Sequence, residues 1–258
     1  MEPVTLITGA SAGIGTALAH TFAAHGHTLV LVARRENRLA ELADAIAAKG
    51  HRKPFFLPVD LERSDAVERI GDVLVMLDLE PEIVVNNAGF GLLGAAAALD
   101  HVEQLAMIDL NVRALTELSL AFVDSLERRR GGILNVASVA GFIPGPRMAV
   151  YYATKAYVLS FSEALHYELA PKGVRVSALC PGPVPTEFQA RAGIGTTYPP
   201  LLTRSAEQVA EEGYRGLKAG RRVVVPGFAN KMVTAFTRFV PRPLLLWATD
   251  LHQKGRQG

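Results

Sequence analysis

The sequence holds a single cysteine, Cys180, in 258 residues. One thiol cannot build an internal disulfide framework, so the fold must rest on its own core, as suits a reducing cytoplasm. Cys180 follows an apolar run and reads as a buried, inert thiol rather than a nucleophile. Charge excess is also missing: 27 basic side chains face 25 acidic ones, a formal net charge of +2. That balance gives no electrostatic reason to expect nucleic acid or an acidic membrane as partner. No uncharged apolar run reaches spanning length. Met1 and Glu2 lead almost at once into a short apolar strand, with no leader-like segment between. Zinc-spaced ligands are absent: His20, His25 and His27 cluster around a predicted helix end and read as solvated surface histidines. No low-complexity linker divides the chain. One domain of this size can bury about three quarters of its unfolded surface.

What is present is an alternation of short apolar runs with helical patterns. Val4–Thr8, Thr28–Ala33, Phe55–Val59, Ile83–Asn86, Ile133–Ser138, Val174–Leu179 and Arg222–Val225 read as strands. The second has no polar alternation, as expected of a strand buried on both faces. Ile14–Ala24, with Leu18 and Phe22 one turn apart, reads as a helix, as do Asn37–Lys49 and the stretches 64–76, 103–128 and 151–169. This order predicts a single doubly wound α/β domain with a mostly parallel sheet of about seven strands. The Pro/Gly-rich stretch Pro181–Pro200 reads as one long loop.

Two local patterns carry chemistry. Thr8-Gly9-Ala10-Ser11-Ala12-Gly13-Ile14-Gly15 lies between the first strand and the first helix. Glycines there let the backbone turn sharply and approach a ligand closely, and the free N–H groups of a helix start suit a phosphate. The spacing is Gly-x-x-x-Gly-x-Gly, not the usual Gly-x-Gly-x-x-Gly fingerprint. The other pattern is Ser138 followed, 13 residues on, by Tyr151, with Lys155 one helical turn beyond. A phenol titrates near about 10 and is a poor acid or base at neutrality. An ammonium at i+4 favours the phenolate. At about 4 Å and an effective dielectric of about 20 the attraction is about 4 kcal/mol, roughly three pKa units. Such a tyrosine is in range for general acid–base work. Tyr152, three residues before Lys155, also satisfies helix geometry. Adjacent helix residues point about 100° apart, so one of the two faces a ligand.

From about residue 4 to about residue 226 the chain resembles the short-chain dehydrogenase/reductase family. The resemblance rests on Thr8-Gly9-x-x-x-Gly13-x-Gly15, on Asn86-Asn87-Ala88-Gly89 after the fourth strand, and on Asn111 in Leu110-Asn111-Val112. It continues with Ser138 at the end of the fifth strand, Tyr151-x-x-x-Lys155, and Pro181-Gly182 with Thr186 shortly after. It implies a Rossmann-type fold and hydride transfer between a nicotinamide dinucleotide and a carbonyl or alcohol. Tyr151, selected over Tyr152 by the family's serine–tyrosine interval, would be the acid–base. Ser138 would hold the reacting oxygen, Lys155 would assist Tyr151 and reach the nicotinamide ribose, and Asn111 would hold a water linking Lys155 to solvent. The dinucleotide would lie against Gly9, Ser11, Gly13, Ile14, Gly15, Arg34, Arg35, Asp60, Leu61, Asn87, Ala88, Gly89, Tyr151, Lys155, Pro181, Gly182 and Thr186. A helix-cap reading of Asp60 stands beside its adenine-contact reading. The family also implies a homodimer or homotetramer built on 103–128 and 151–169.

The second strand ends Val32-Ala33-Arg34-Arg35, with no acid at its tip. An acid there would bind the ribose 2′-hydroxyl of NAD, whereas arginine suits the 2′-phosphate of NADP. NADP(H) is therefore favoured over NAD(H), with Ser11 as an added donor. The alternative is that Arg34 and Arg35 begin a solvated helix. Around the site, Phe90, Leu92, Leu93, Phe142, Ile143, Phe188, Ile194, Tyr198, Pro199, Pro200, Leu201 and Leu202 suggest an apolar or aromatic ketone or aldehyde. Arg147 and Arg191 leave a 3-oxoacyl carrier thioester open. Residues 1–228 are expected to form the dinucleotide-binding and catalytic domain, and 229–258 a helical extension of it. Within that extension the prolines Pro241 and Pro243 predict two short helices. These would serve as subunit contact or lid in preference to a membrane-surface anchor. A non-catalytic dinucleotide sensor has no need of Asn111, Ser138, Tyr151 and Lys155 together. An epimerase or dehydratase would call for an added substrate domain.

Overall fold

Runs of valine, isoleucine and leucine give seven strands, β1 (Glu2–Thr8), β2 (Leu29–Ala33), β3 (Phe55–Pro58), β4 (Leu79–Asn86), β5 (Gly132–Val136), β6 (Arg175–Leu179) and β7 (Val223–Val224). In the computed structural model, which describes residues 1–195 and 200–255, they form one sheet in the order β3-β2-β1-β4-β5-β6-β7, with every pair parallel. Parallel neighbours need crossovers, and helices supply them. These are α1 (Gly13–Ala24), α2 (Glu36–Ala48), α3 (Ala66–Met76), α4 (His101–Ile108), α5 (Leu115–Ala121), α6 (Val123–Arg129), α7 (Ala149–Leu169), α8 (Glu187–Ala192), α9 (Ala206–Lys218), α10 (Phe228–Phe236) and α11 (Arg242–Lys254). Among the described residues no helix is long and apolar enough to cross a membrane.

Successive strand residues feed opposite faces. Ile7, Leu31, Val85, Leu134 and Leu179 pack against α1, α2 and α9. Leu6, Val30 and Val32 pack against α3 and α5, and Val84, Ile133 and Val176 against α6 and α7. Both faces are covered, which is why these strands are apolar without alternation. The chain reverses its winding between β1 and β4, and this opens a crevice at the carboxyl ends of the strands.

Three local expectations change. The stretch 103–128 is not one helix. It breaks at a π-turn over Asp109–Ala114, where the side chain of Asn111 is drawn to the Phe90 backbone, and again at Phe122. The stretch Pro181–Pro200 is not a plain loop, because a capping box between Thr186 and Gln189 starts α8 inside it. His27 is not a solvated surface residue. It is half-buried, with Nδ1 3.0 Å from Thr5 Oγ1 and Nε2 3.4 Å from Tyr214 Oη, and its burial holds its pKa below the usual histidine value. The two helices expected around Pro241 and Pro243 are present as α10 and α11, with Pro241 capping the second. Tyr198 and Pro199 lie outside the described residues.

Candidate active site

The crevice opens into a cavity of about 670 Å³, bounded by the ends of β1, β4, β5 and β6 and by α7, α8, α10 and α11. Its phosphate end is shaped by small residues. Gly9 has φ +64°, and a Cβ there would come 2.8 Å from Ala88 Cα. At Gly15 a Cβ would overlap the Gly9 carbonyl, so this glycine serves close helix–strand packing. The turn is tied to β4 by Thr8, whose Oγ1 accepts from Asn87 N (3.0 Å) and Ala88 N (3.1 Å). Asn87 Nδ2 donates to Thr8 O and Gly9 O. Every residue expected to hold the dinucleotide lines the cavity except Gly15. This narrow cradle, which side chains would fill, fits such a cofactor.

At the tip of β2, Arg35 donates to Ser11 Oγ at 3.2 and 3.3 Å and to Ser11 O at 3.2 Å, and pairs with Glu187 at 2.9 Å. Arg34 pairs with Glu62 at 3.3 Å and lies 4.0 Å from Asp60. Asp60 Oδ1 accepts from Glu62 N at 3.1 Å, so it closes a turn; the next helix starts only at Ala66. Leu61 is buried beside it.

The residues expected to handle protons are brought together by β5, α7 and the π-turn. β5 ends at Val136, and Ser138 lies just beyond it in extended backbone. Ser138 Oγ accepts from Ala140 N at 3.1 Å. Tyr151 is in the first turn of α7, with its ring centroid 5.8 Å from Lys155 Nζ and 5.4 Å from the Phe188 ring. Lys155 is 5% exposed, and Nζ donates to Val136 O at 2.8 Å. Burial pushes its pKa down to about 8, which leaves it largely cationic at pH 7. Asn111 is 1% exposed and does not line the cavity. Its Nδ2 donates to Phe90 O (2.9 Å) and Thr154 Oγ1 (3.1 Å), and its Oδ1 accepts from Phe90 N (3.1 Å). Both amide hydrogens are therefore committed to protein. Gly89 sits between Asn111 and Lys155; a Cβ there would lie 2.9 Å from Oδ1 and 3.5 Å from Nζ.

Residues 3–195 match the sequence profile described as short chain dehydrogenase. The chain is a short-chain dehydrogenase. Sulfoacetaldehyde reductase 2 of Chromohalobacter salexigens is 36% identical over 220 residues, covering 82% of this chain and 86% of the relative. The short-chain dehydrogenase from Sphingobium yanoikuyae, solved in complex with NADPH, has a TM-score of 0.81 and 34% identity, covering 92% of this chain and 93% of that one. The bulky-bulky ketone specific alcohol dehydrogenase from Comamonas testosteroni has a TM-score of 0.76 and 30% identity, covering 93% of each chain. Other similar structures are complexes with NAD or NADH. The protein is thus an oxidoreductase of carbonyl or alcohol substrates with a nicotinamide dinucleotide cofactor.

In this dehydrogenase Tyr152 is engaged elsewhere. Gln253 Nε2 of α11 donates to its hydroxyl at 2.9 Å, and its ring fills the space where Gly145 lacks a side chain. The apolar end of the cavity is walled by Phe142, Ile143, Met148, Phe188, Ile194, Leu202 and Val233. Leu92 and Leu93 do not reach it: Leu92 borders a separate small crevice, and Leu93 packs beside Met148 and Ile194. Leu201 points away, 78% exposed. Arg191 stacks over the Phe90 ring at 4.1 Å, and Arg147 is paired with Asp250 at 2.9 Å. Cys180 is buried, and its pKa is pushed up to about 12, as for an inert thiol. Sequence reasoning missed Asn230, Val233, Thr234 and Thr237 of the α10 segment, His252 of α11 and Glu187 of α8, all of which line the cavity. The capping box at Thr186 was the signal for α8; nothing local announced the others.

Proposed function

We propose that this dehydrogenase is an NADP(H)-dependent reductase of bulky apolar or aromatic ketones and aldehydes, with Tyr151 as its proton donor. The observation that carries this reading is the buried, cationic Lys155 beside the Tyr151 ring, next to an apolar chamber. The bound dinucleotide supplies the hydride, or takes it up in the reverse direction. Gly9, Ser11, Gly13, Ile14, Asn87, Ala88, Gly89, Pro181, Gly182 and Thr186 hold it, with Asp60 and Leu61 at the adenine end. Tyr151 gives its phenolic proton to the carbonyl oxygen, and the Lys155 ammonium stabilises the phenolate left behind. Ser138 donates a hydrogen bond to the same oxygen, where negative charge develops. Asn111 fixes the π-turn beside Lys155, where it would hold a water that links Lys155 to solvent.

Arg34 and Arg35 at the tip of β2, without a competing acid at the tip itself, support the 2′-phosphate of NADP. Arg35 lies against Ser11, so a guanidinium and a hydroxyl stand together there, and a 2′-phosphate would compete with Glu187 for Arg35. The apolar chamber and the likeness to an enzyme named for bulky ketones support the substrate class. A 3-oxoacyl carrier thioester is less well served, since Arg147 is held by Asp250. The described part of the 229–258 extension belongs to the same domain as the rest, since Asn230, Val233, Thr234, Thr237 and His252 line the chamber. Exposed Leu105, Ile108, Leu120 and Tyr157 along α4, α5 and α7 suit a homodimer or homotetramer, in the cytoplasm.

Tyr151→Phe is the test. Reduction of a panel of bulky ketones, 3-oxoacyl thioesters and sulfoacetaldehyde should lose about 10²–10⁴ in kcat, while NADPH affinity, read by fluorescence titration, stays at the wild-type value. Retention of most of kcat would refute the assignment of Tyr151. Tighter binding of NADH than of NADPH would refute the coenzyme preference.

A further inference from the structure

The two C-terminal helices are built inside out. The buried residues of α10 are Asn230 and Thr234, and those of α11 are Thr249 and Gln253, all polar. Most of the large apolar residues face outward. Phe228, Met232 and Phe236 form one exposed stripe at i, i+4 and i+8 of α10, and Leu244, Trp247 and Leu251 form another on α11. Between the helices Phe239 is 84% exposed. Scattered exposed hydrophobics are ordinary, but stripes of them mark an interaction surface.

The charge on this segment narrows what can cover it. Residues 228–255 carry Lys231, Arg238, Arg242 and Lys254 against one acid, Asp250. That acid is already engaged by Arg147 at 2.9 Å and Lys254 at 2.6 Å. We propose that α10, α11 and the connection between them form a docking surface for an anionic lipid bilayer. A second copy meeting this face by two-fold symmetry would bring like cations together with no spare carboxylate to pair them. A bilayer with acidic headgroups meets both needs. Its acyl boundary accepts Phe236, Phe239 and Trp247, and its headgroups pair with the basic rim. Val233, Thr234, Thr237 and His252 of the same helices line the cavity, so the docked face borders the substrate chamber. Delivery of an apolar substrate from lipid follows if the proposed ketone reductase activity holds; the docking itself does not depend on that activity.

Trp247 is the only tryptophan in the chain, so its emission reports this face alone. The full chain is titrated with vesicles of phosphatidylcholine alone, or of phosphatidylcholine mixed with phosphatidylglycerol, at low salt. The expected result is a blue shift, quenching by bromine-labelled acyl chains and co-flotation, with the anionic vesicles only. Arg238→Gln with Arg242→Gln should weaken binding roughly thirty-fold, at about fivefold per basic residue. Phe236→Ser with Phe239→Ser should abolish the bromine quenching. Unchanged circular dichroism and melting of these variants show that the fold is kept. Absence of a shift at millimolar anionic lipid overturns the proposal, as does equal binding to neutral vesicles. A lipid-independent shift that grows with protein concentration also overturns it and assigns the face to a second copy.

Discussion

Helices α9 and α11 have 13 residues each, and both are two-faced, yet they sit in the protein in opposite senses. α9 buries Val209, Ala210, Tyr214 and Leu217 against the sheet and is started by a capping box at Ser205. α11 buries Thr249 and Gln253, leaves Leu244, Trp247 and Leu251 outside, and begins at Pro241 without a side-chain cap. The first is held by apolar burial. The second is held by polar attachments: Gln253 to Tyr152 and Asp250 to Arg147. A two-faced pattern therefore reveals that a helix lies at a boundary. It does not reveal which side of the boundary is protein.

The sharpest way to break this comparison is to truncate one leucine on each helix. Leu217→Ala should cost about 2–5 kcal/mol, because it leaves a cavity in a packed core. Leu244→Ala should stay within about 0.5 kcal/mol, as an exposed substitution does. Urea unfolding of both variants measures this, and a loss at Leu244 comparable to that at Leu217 would end the contrast. A smaller effect is expected from Gln253→Ala. Loss of its bond to the Tyr152 hydroxyl should cost about 1 kcal/mol, seen as faster amide exchange in α11 with α9 unchanged. The smallest concerns His27, which packs on Tyr214 of α9. Burial holds its folded pKa below 6.5, so the unfolded chain binds more protons as the pH falls through that value, and stability declines. Melting between pH 7 and pH 5 should show a slope that His27→Gln reduces. An unchanged slope would assign the acid sensitivity to other groups.

Much of the fold was legible because strands buried on both faces must be apolar throughout, and Val30 to Val32 or Ile83 to Val85 could be little else. The glycine turn and the Ser138, Tyr151 and Lys155 spacing were legible because the constraints on them are local. The breaks in 103–128 were not legible. They depend on Asn111 finding Phe90 and Thr154, partners distant in sequence. Tyr151 and Tyr152 could not be separated by helix geometry alone. Their different surroundings come from α8, which brings Phe188 to one, and α11, which brings Gln253 to the other.

The sequence by itself determined the alternation of strands and helices, the glycine turn from Gly9 to Gly15 and the spacing of Ser138, Tyr151 and Lys155, since periodicity and spacing are properties of the chain. Only the tertiary structure decided that Lys155 is buried deeply enough for its pKa to fall to about 8. It also decided that α10 and α11 wall the chamber while turning their apolar faces outward. Both depend on what surrounds a side chain, and those surroundings are made by parts of the chain far from it.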